Sequence, residues 1–112
     1  MYRSIDLEGL EEKLSNGGDV KLIDVLSPED YEDSHIKGAI NIPLAKIGRE
    51  AKKRFDKEDE IIVYCANIDC PASSKAAEKL DKLGFVNVYD YEEGKKGWKD
   101  AGKPMATGDE TE

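Results

Sequence analysis

Two cysteines stand five positions apart in this 112-residue chain, Cys65 at the end of the apolar run Ile61-Ile62-Val63-Tyr64 and Cys70 just before Pro71-Ala72-Ser73-Ser74. A short β-branched run reads as a fully buried strand. Proline suits a first helical turn, where a missing N–H is harmless, and Ala76, Ala77, Leu80 and Leu83 then carry a helical apolar stripe as far as Gly84. Cys65 is therefore expected at the C-terminal edge of a strand, a short loop ahead of a helix N-terminus. Unpaired backbone N–H groups and the positive end of a helix dipole stabilise negative charge there, on a bound anion or on the thiolate itself. A thiol of ordinary pKa, about 8.5, is mostly protonated at neutral pH, and N–H groups along Ala66, Asn67, Ile68, Asp69 and Cys70 would lower that value. The chemistry this predicts is nucleophilic attack by Cys65. From composition alone the cysteine could equally be a small apolar filler at a strand end.

The remaining candidates are weaker. Cys70 reads either as a resolving thiol for Cys65 or as a residue packed beneath the loop. Ser73 and Ser74 fall in the first helical turn, where hydroxyls satisfy local backbone groups. His35, the only histidine, precedes an apolar segment, and Asp24 ends another; both read as structural hydrogen-bonding groups supporting the site. Two cysteines and one histidine fall short of the four ligands of a structural zinc site, no Cys-x2-Cys pair is present, and no metal or organic cofactor is implied. A cysteine-x5-arginine phosphatase or arsenate reductase is disfavoured because the sixth residue after Cys65 is Pro71, with no guanidinium to clamp an oxyanion.

The elements that must hold these residues alternate. A helix is expected from Asp6, with Ile5 and Leu10 as a hydrophobic staple and Asn16-Gly17-Gly18 as its stop. A strand over 20–25 follows, then Ser27-Pro28 as the cap and first position of a short helix. A brief strand over 39–43, a helix over 44–55, the strand from Ile61, the helix over 72–83, a strand over 86–91 and a short helix around Trp98 complete the pattern. Strands alternating with helices predict an α/β fold: a small, open, mostly parallel sheet with helices on both faces. Ligands of such sheets bind beyond the carboxyl ends of the strands, where Cys65 falls. Length allows one domain, over residues 1–106, with 107–112 as a flexible acidic tail. The net charge of −8 argues against nucleic-acid and anionic-membrane partners. No export signal or bilayer-length apolar run is seen, so the expected location is cytoplasmic, with both thiols reduced.

From about Ile5 to Pro104 the chain resembles the rhodanese homology domain, the small sulfurtransferase fold. Four segments carry the likeness: Leu22-Ile23-Asp24-Val25; Tyr31 with His35-Ile36-Lys37-Gly38-Ala39-Ile40-Asn41-Ile42-Pro43; Val63-Tyr64-Cys65 with Ala76, Ala77, Leu80 and Gly84-Phe85; and Gly94, Trp98, Gly102 and Pro104. The resemblance implies that Cys65 carries sulfane sulfur as a persulfide, taken from polysulfide, a persulfide or thiosulfate and passed to a thiol or to cyanide. Many members close the active-site loop with an arginine, whereas this loop holds Ile68, Asp69 and Cys70 and no basic residue. A dianion such as thiosulfate is thereby the less favoured donor. The alternative reading is a catalytically weak or inactive rhodanese-like module that binds a protein partner or acts in redox regulation.

Overall fold

Side chains of alternate polarity cannot cover both faces of a parallel sheet, so the central strands of this protein are apolar on both sides and helices close over them. The computed structural model describes residues 2–16 and 19–108. Strands β1 (Arg3–Ile5), β2 (Lys21–Asp24), β4 (Ile40–Asn41), β5 (Glu60–Tyr64) and β6 (Asn87–Tyr91) form one five-stranded sheet in the order β1-β6-β5-β2-β4. Every pairing in it is parallel, with Ile23 opposite Val63 and Val63 opposite Asp90. A two-stranded antiparallel ribbon of β3 (His35–Ile36) and β7 (Met105–Ala106) lies apart from it.

One face of the sheet is covered by α3 (Ile47–Arg54) and α4 (Ala72–Lys82), whose Ile47, Ala51, Ala76, Ala77 and Leu80 pack with Ile23, Ile61 and Val63. The other is covered by α1 (Leu7–Ser15), α2 (Pro28–Asp33) and α5 (Gly94–Asp100), through Leu10, Tyr31 and Trp98 against Leu22, Ile62, Tyr64 and Tyr91. The α/β architecture expected from the sequence is the one observed. No helix among the described residues is long and apolar enough to cross a membrane.

Helix starts follow their side chains. The Asp6 carboxylate accepts from the Gly9 N–H at 2.8 Å and the Ser27 hydroxyl from the Asp30 N–H at 3.2 Å, each such cap contributing about 1 kcal/mol. Gly84, at φ +98°, ends α4, with its N–H on the Asp81 carbonyl and the Phe85 N–H on Leu80. Three expectations shift. The helix foreseen over 44–55 opens as a 3-10 turn, Leu44–Lys46, because the Leu44 N–H is held by the Val25 carbonyl at 3.1 Å. Pro71 caps α4 instead of entering its first turn. His35 lies within a strand rather than before one. The Gly17-Gly18 stop and residues 109–112 of the tail lie outside the described residues, while Gly108 donates its N–H to the Glu32 carbonyl at 2.7 Å.

Candidate active site

Sheet order decides which loops meet. β5 lies between β6 and β2, so the loop after β5, residues 65–71, is flanked by the loop after β6 on one side and the end of β2 on the other. Cys65 follows the last residue of β5, and α4 begins at Ala72. The expected placement is observed: a cysteine at the carboxyl end of the central strand, facing a helix start.

The loop is braced from behind by α5. The N–H groups of Lys95 and Lys96 donate to the carbonyls of Cys65 and Ala66 at 2.9 and 3.0 Å. This contact requires Gly94, whose φ is +69° and whose missing Cβ would lie 2.5 Å from the Cys65 carbonyl oxygen and 2.7 Å from the Asn67 nitrogen. In front, Asn67 organises a tight turn: its carbonyl accepts from the Cys70 N–H at 3.1 Å and its side chain from the Asp69 N–H at 3.0 Å. Two of the five N–H groups expected to form an anion cradle are therefore turned inward onto Asn67 in this conformation. At the turn's tip Ile68 is 66% exposed.

The two sulfur atoms are not equivalent. Cys65 is only 1% exposed, and its thiol points at residue 70, 3.3 Å from the Cys70 carbonyl oxygen. Burial, reinforced by the neighbouring Cys70, pushes the Cys65 thiol up to about 11, against the opposing pull of the Ser73 hydroxyl and N–H. Cys70 is half-buried, and although burial opposes its ionisation, the Cys65 thiol and the N–H groups of Ala72 and Ala66 outweigh that and lower its pKa. The dipolar stabilisation expected at Cys65 is thus delivered mainly to Cys70. The reason is geometric: the first turn of α4 divides its N–H groups between the two sulfurs, and the more exposed one loses less solvation.

Supporting residues occupy definite places. Ser73 is buried and lies between Cys65 and the carboxylate of Asp90, which is 1% exposed and has one oxygen without a hydrogen-bond partner. Ser74 donates its hydroxyl to the Pro71 carbonyl at 3.1 Å, a local helix-start bond on the wall of the cleft that Cys70 also lines. Asp24 is buried at the end of β2, where its carboxylate accepts from the Leu26 N–H at 2.9 Å; burial raises its pKa while Leu26, Tyr64, Lys95 and His35 hold it down. His35 is buried away from the thiols, stacked on Tyr31 at 3.7 Å with its Nδ1 2.8 Å from the Tyr31 carbonyl. The structure brings Cys65, Cys70 and Ser73 together and leaves His35 in a structural setting.

What sequence reasoning missed is the cationic wall. A cavity of about 280 Å³ beside Ala66 is lined by Lys95, Lys96 and Lys99 of α5 together with one carboxylate, Asp100. Lys95 is anchored at 2.8 Å on the carbonyls of Asp30 and Ser34, and Lys96 pairs with Asp100 at 2.7 Å. A separate cleft of about 240 Å³ that includes Cys70 is lined by Asp69, Glu92 and the buried Asp90. The signal for the lysines was present in the parallel β5–β6 neighbourhood, which sets whatever follows β6 beside the loop following β5.

Comparison with known proteins agrees with this architecture. The family model described as Rhodanese-like domain matches residues 6–101. A protein named thiosulfate sulfurtransferase PspE, of Escherichia coli strain K12, is 40% identical over 91 residues, 77% of this chain and 78% of that protein. YrkF of Bacillus subtilis strain 168 is 31% identical over 94 residues, 84% of this chain; the match spans about half of YrkF, 49% of its length. Among solved structures, the crystal structure of the BH2092 protein from Bacillus halodurans superposes with a TM-score of 0.86 at 32% identity, over 94% of this chain and 77% of that one.

Proposed function

This chain belongs to the rhodanese-like domain family, and from that premise we propose that it is a sulfurtransferase that carries sulfane sulfur as a persulfide on Cys65 and passes it to a thiol or to cyanide. The observation that carries the reading is the placement of Cys65 at the carboxyl end of the central strand, with the Ser73 N–H aimed at its sulfur and α5 bracing its carbonyl. An anionic donor approaches on the lysine side, beside Ala66. Cys70, whose pKa is lowered, is the base that takes the Cys65 proton. The Cys65 thiolate attacks the outer sulfur of thiosulfate, the donor's S–S bond breaks and sulfite leaves; cyanide or a thiolate then takes that outer sulfur and returns Cys65 as thiolate. The Ala66 to Cys70 segment must turn its N–H groups outward to hold the persulfide, which requires the Asn67 bonds to open. Lys95, Lys96 and Lys99 supply the positive charge that the loop itself lacks, so thiosulfate is a competent donor alongside polysulfide and persulfides. Two free thiols fit a reducing compartment such as the cytoplasm.

The closed, protonated state of Cys65 favours a second reading, a redox-responsive or partner-binding module in which the loop is a contact surface and turnover is negligible. Thiocyanate formation from thiosulfate and cyanide separates them. Sustained turnover by the wild-type chain that falls to background in Cys65→Ser supports the enzyme, because a hydroxyl in the same position does not ionise usefully. Absence of turnover with thiosulfate, polysulfide and a small-molecule persulfide as donors supports the module.

A further inference from the structure

The proposed transfer uses Cys70 only to receive a proton, yet its surroundings equip it for more. The Cys65 sulfur lies 3.3 Å from the Cys70 carbonyl oxygen, Cys65 and the N–H groups of Ala66 and Ala72 favour the ionised form of the Cys70 thiol, and Cys70 lines the cleft beside Asp69, Asp90 and Glu92. The tight turn closed by the Cys70 N–H on Asn67 folds the five-residue span back on itself, the short loop a disulfide between its ends demands. These are also the chain's only two cysteines, and neither is bonded to anything else covalently. Charge assigns them different visitors: a dianionic donor is repelled from the carboxylates on the Cys70 side and accepted beside the lysines on the Ala66 side.

We propose that Cys65 and Cys70 act as a dithiol pair in which Cys70 attacks the loaded Cys65, expels the carried sulfur as sulfide and leaves a Cys65–Cys70 disulfide. The inference rests on the reading that Cys65 carries the persulfide. The Cys70 thiolate attacks the inner sulfur of Cys65–S–SH, the S–Sγ bond to the outer sulfur breaks, and that sulfur departs as HS⁻ with the bonding pair. The outer sulfur is reduced by two electrons and the two cysteine sulfurs are oxidised by the same number. A small dithiol reductant then reduces the disulfide and resets both thiols. The chain thereby has a reductive outlet for sulfane sulfur that needs no external sulfur acceptor, and the neighbouring thiolate that makes loading possible is the one that ends it. Attack is intramolecular across a short turn that already sets the Cys65 sulfur 3.3 Å from the Cys70 carbonyl oxygen, and Cys70 is the member of the pair whose pKa is lowered.

The test is anaerobic loading of the full chain with thiosulfate, whose sulfur transfer leaves sulfite and no sulfide, and in parallel with a small-molecule persulfide. Intact mass is read with both donors and released sulfide with thiosulfate. Wild type is expected to release close to one equivalent of sulfide per chain and to end lighter by two hydrogens than the reduced protein. Cys70→Ser, loading more slowly for want of a proton acceptor, is expected to retain the mass of one added sulfur and release no sulfide. A wild-type chain that keeps the added sulfur as Cys70→Ser does, with sulfide below a tenth of an equivalent, overturns the dithiol pair and leaves the sulfurtransferase reading standing. A Cys70→Ser chain that gains no sulfur from either donor defeats that reading and the inference with it.

Discussion

Which thiol reacts first is decided by a single proton. Cys65 is buried and donates toward residue 70, so its pKa is pushed up to about 11, while Cys70 draws on Cys65, Ala72 and Ala66 and ionises below its ordinary value. Cys70 is therefore the more readily ionised of the two, and iodoacetamide at neutral pH should alkylate Cys70 well ahead of Cys65 in peptide maps; preferential labelling of Cys65 would contradict the assignment. The sign of the pH dependence follows. With Cys70 replaced by serine, burial still holds the Cys65 pKa up although the upward pull of Cys70 is gone, so the Cys65 thiolate fraction, and with it the rate of sulfur loading, should climb as the pH rises above neutral. A loading rate in that variant already level at neutral pH would mean that the loop opens and ionises Cys65 before the donor arrives. Neither behaviour could be foreseen from residue types, since the sequence places both sulfurs near the same helix start and only the turn at Asn67 decides which one faces the N–H groups.

At the scale of elements, the site depends on how closely α5 approaches the cysteine loop. Gly94 and Gly102 both sit at positive φ, but a Cβ at Gly94 meets loop backbone at 2.5 Å while one at Gly102 meets nothing within 4 Å. Gly102→Ala should cost about 1 kcal/mol of conformational strain. Gly94→Ala adds a clash that backbone must absorb, and should cost roughly 3 kcal/mol or more and slow sulfur loading in step, as read by urea denaturation and by the rate of mass gain. Equal losses for the two substitutions would show that the loop does not lean on α5. Much of the scaffold was legible: the caps at Asp6 and Ser27, the buried strand from Ile61 and the stop at Gly84 are local signals, and each appears where its residues ask for it. The parts that were not legible are those fixed by distant pairing. β1 has three residues and owes its existence to Tyr89, Asp90 and Tyr91, and β3 exists only because Met105 and Ala106 return to it. Strands this short carry no periodicity of their own. The same holds for the lysines of α5, the short helix around Trp98, which become part of the site only through the β5–β6 pairing.

Over the whole molecule, charge is distributed against its sum. The chain carries −8, yet Lys95, Lys96 and Lys99, with Asp100 among them, line one cavity near the loop while Asp69, Asp90 and Glu92 line another. An anionic donor thus meets an unfavourable long-range field and a favourable local one, and the local one governs within a Debye length, about 8 Å at physiological salt. Reversing Lys96 and Lys99 to glutamate together should raise the KM for thiosulfate on the order of tenfold at low ionic strength while leaving loading by an uncharged persulfide unchanged; equal effects on both donors would remove the lysine cavity from the account. Beneath the charge pattern lies the proposal that sulfur rides on Cys65. Loading Cys70→Ser with a sulfane donor and mapping the added sulfur by peptide mass spectrometry decides it: one sulfur is expected on the peptide bearing Cys65 and none in the Cys65→Ser chain, whereas an unmodified Cys65 peptide, or loading that survives in Cys65→Ser, would overturn it.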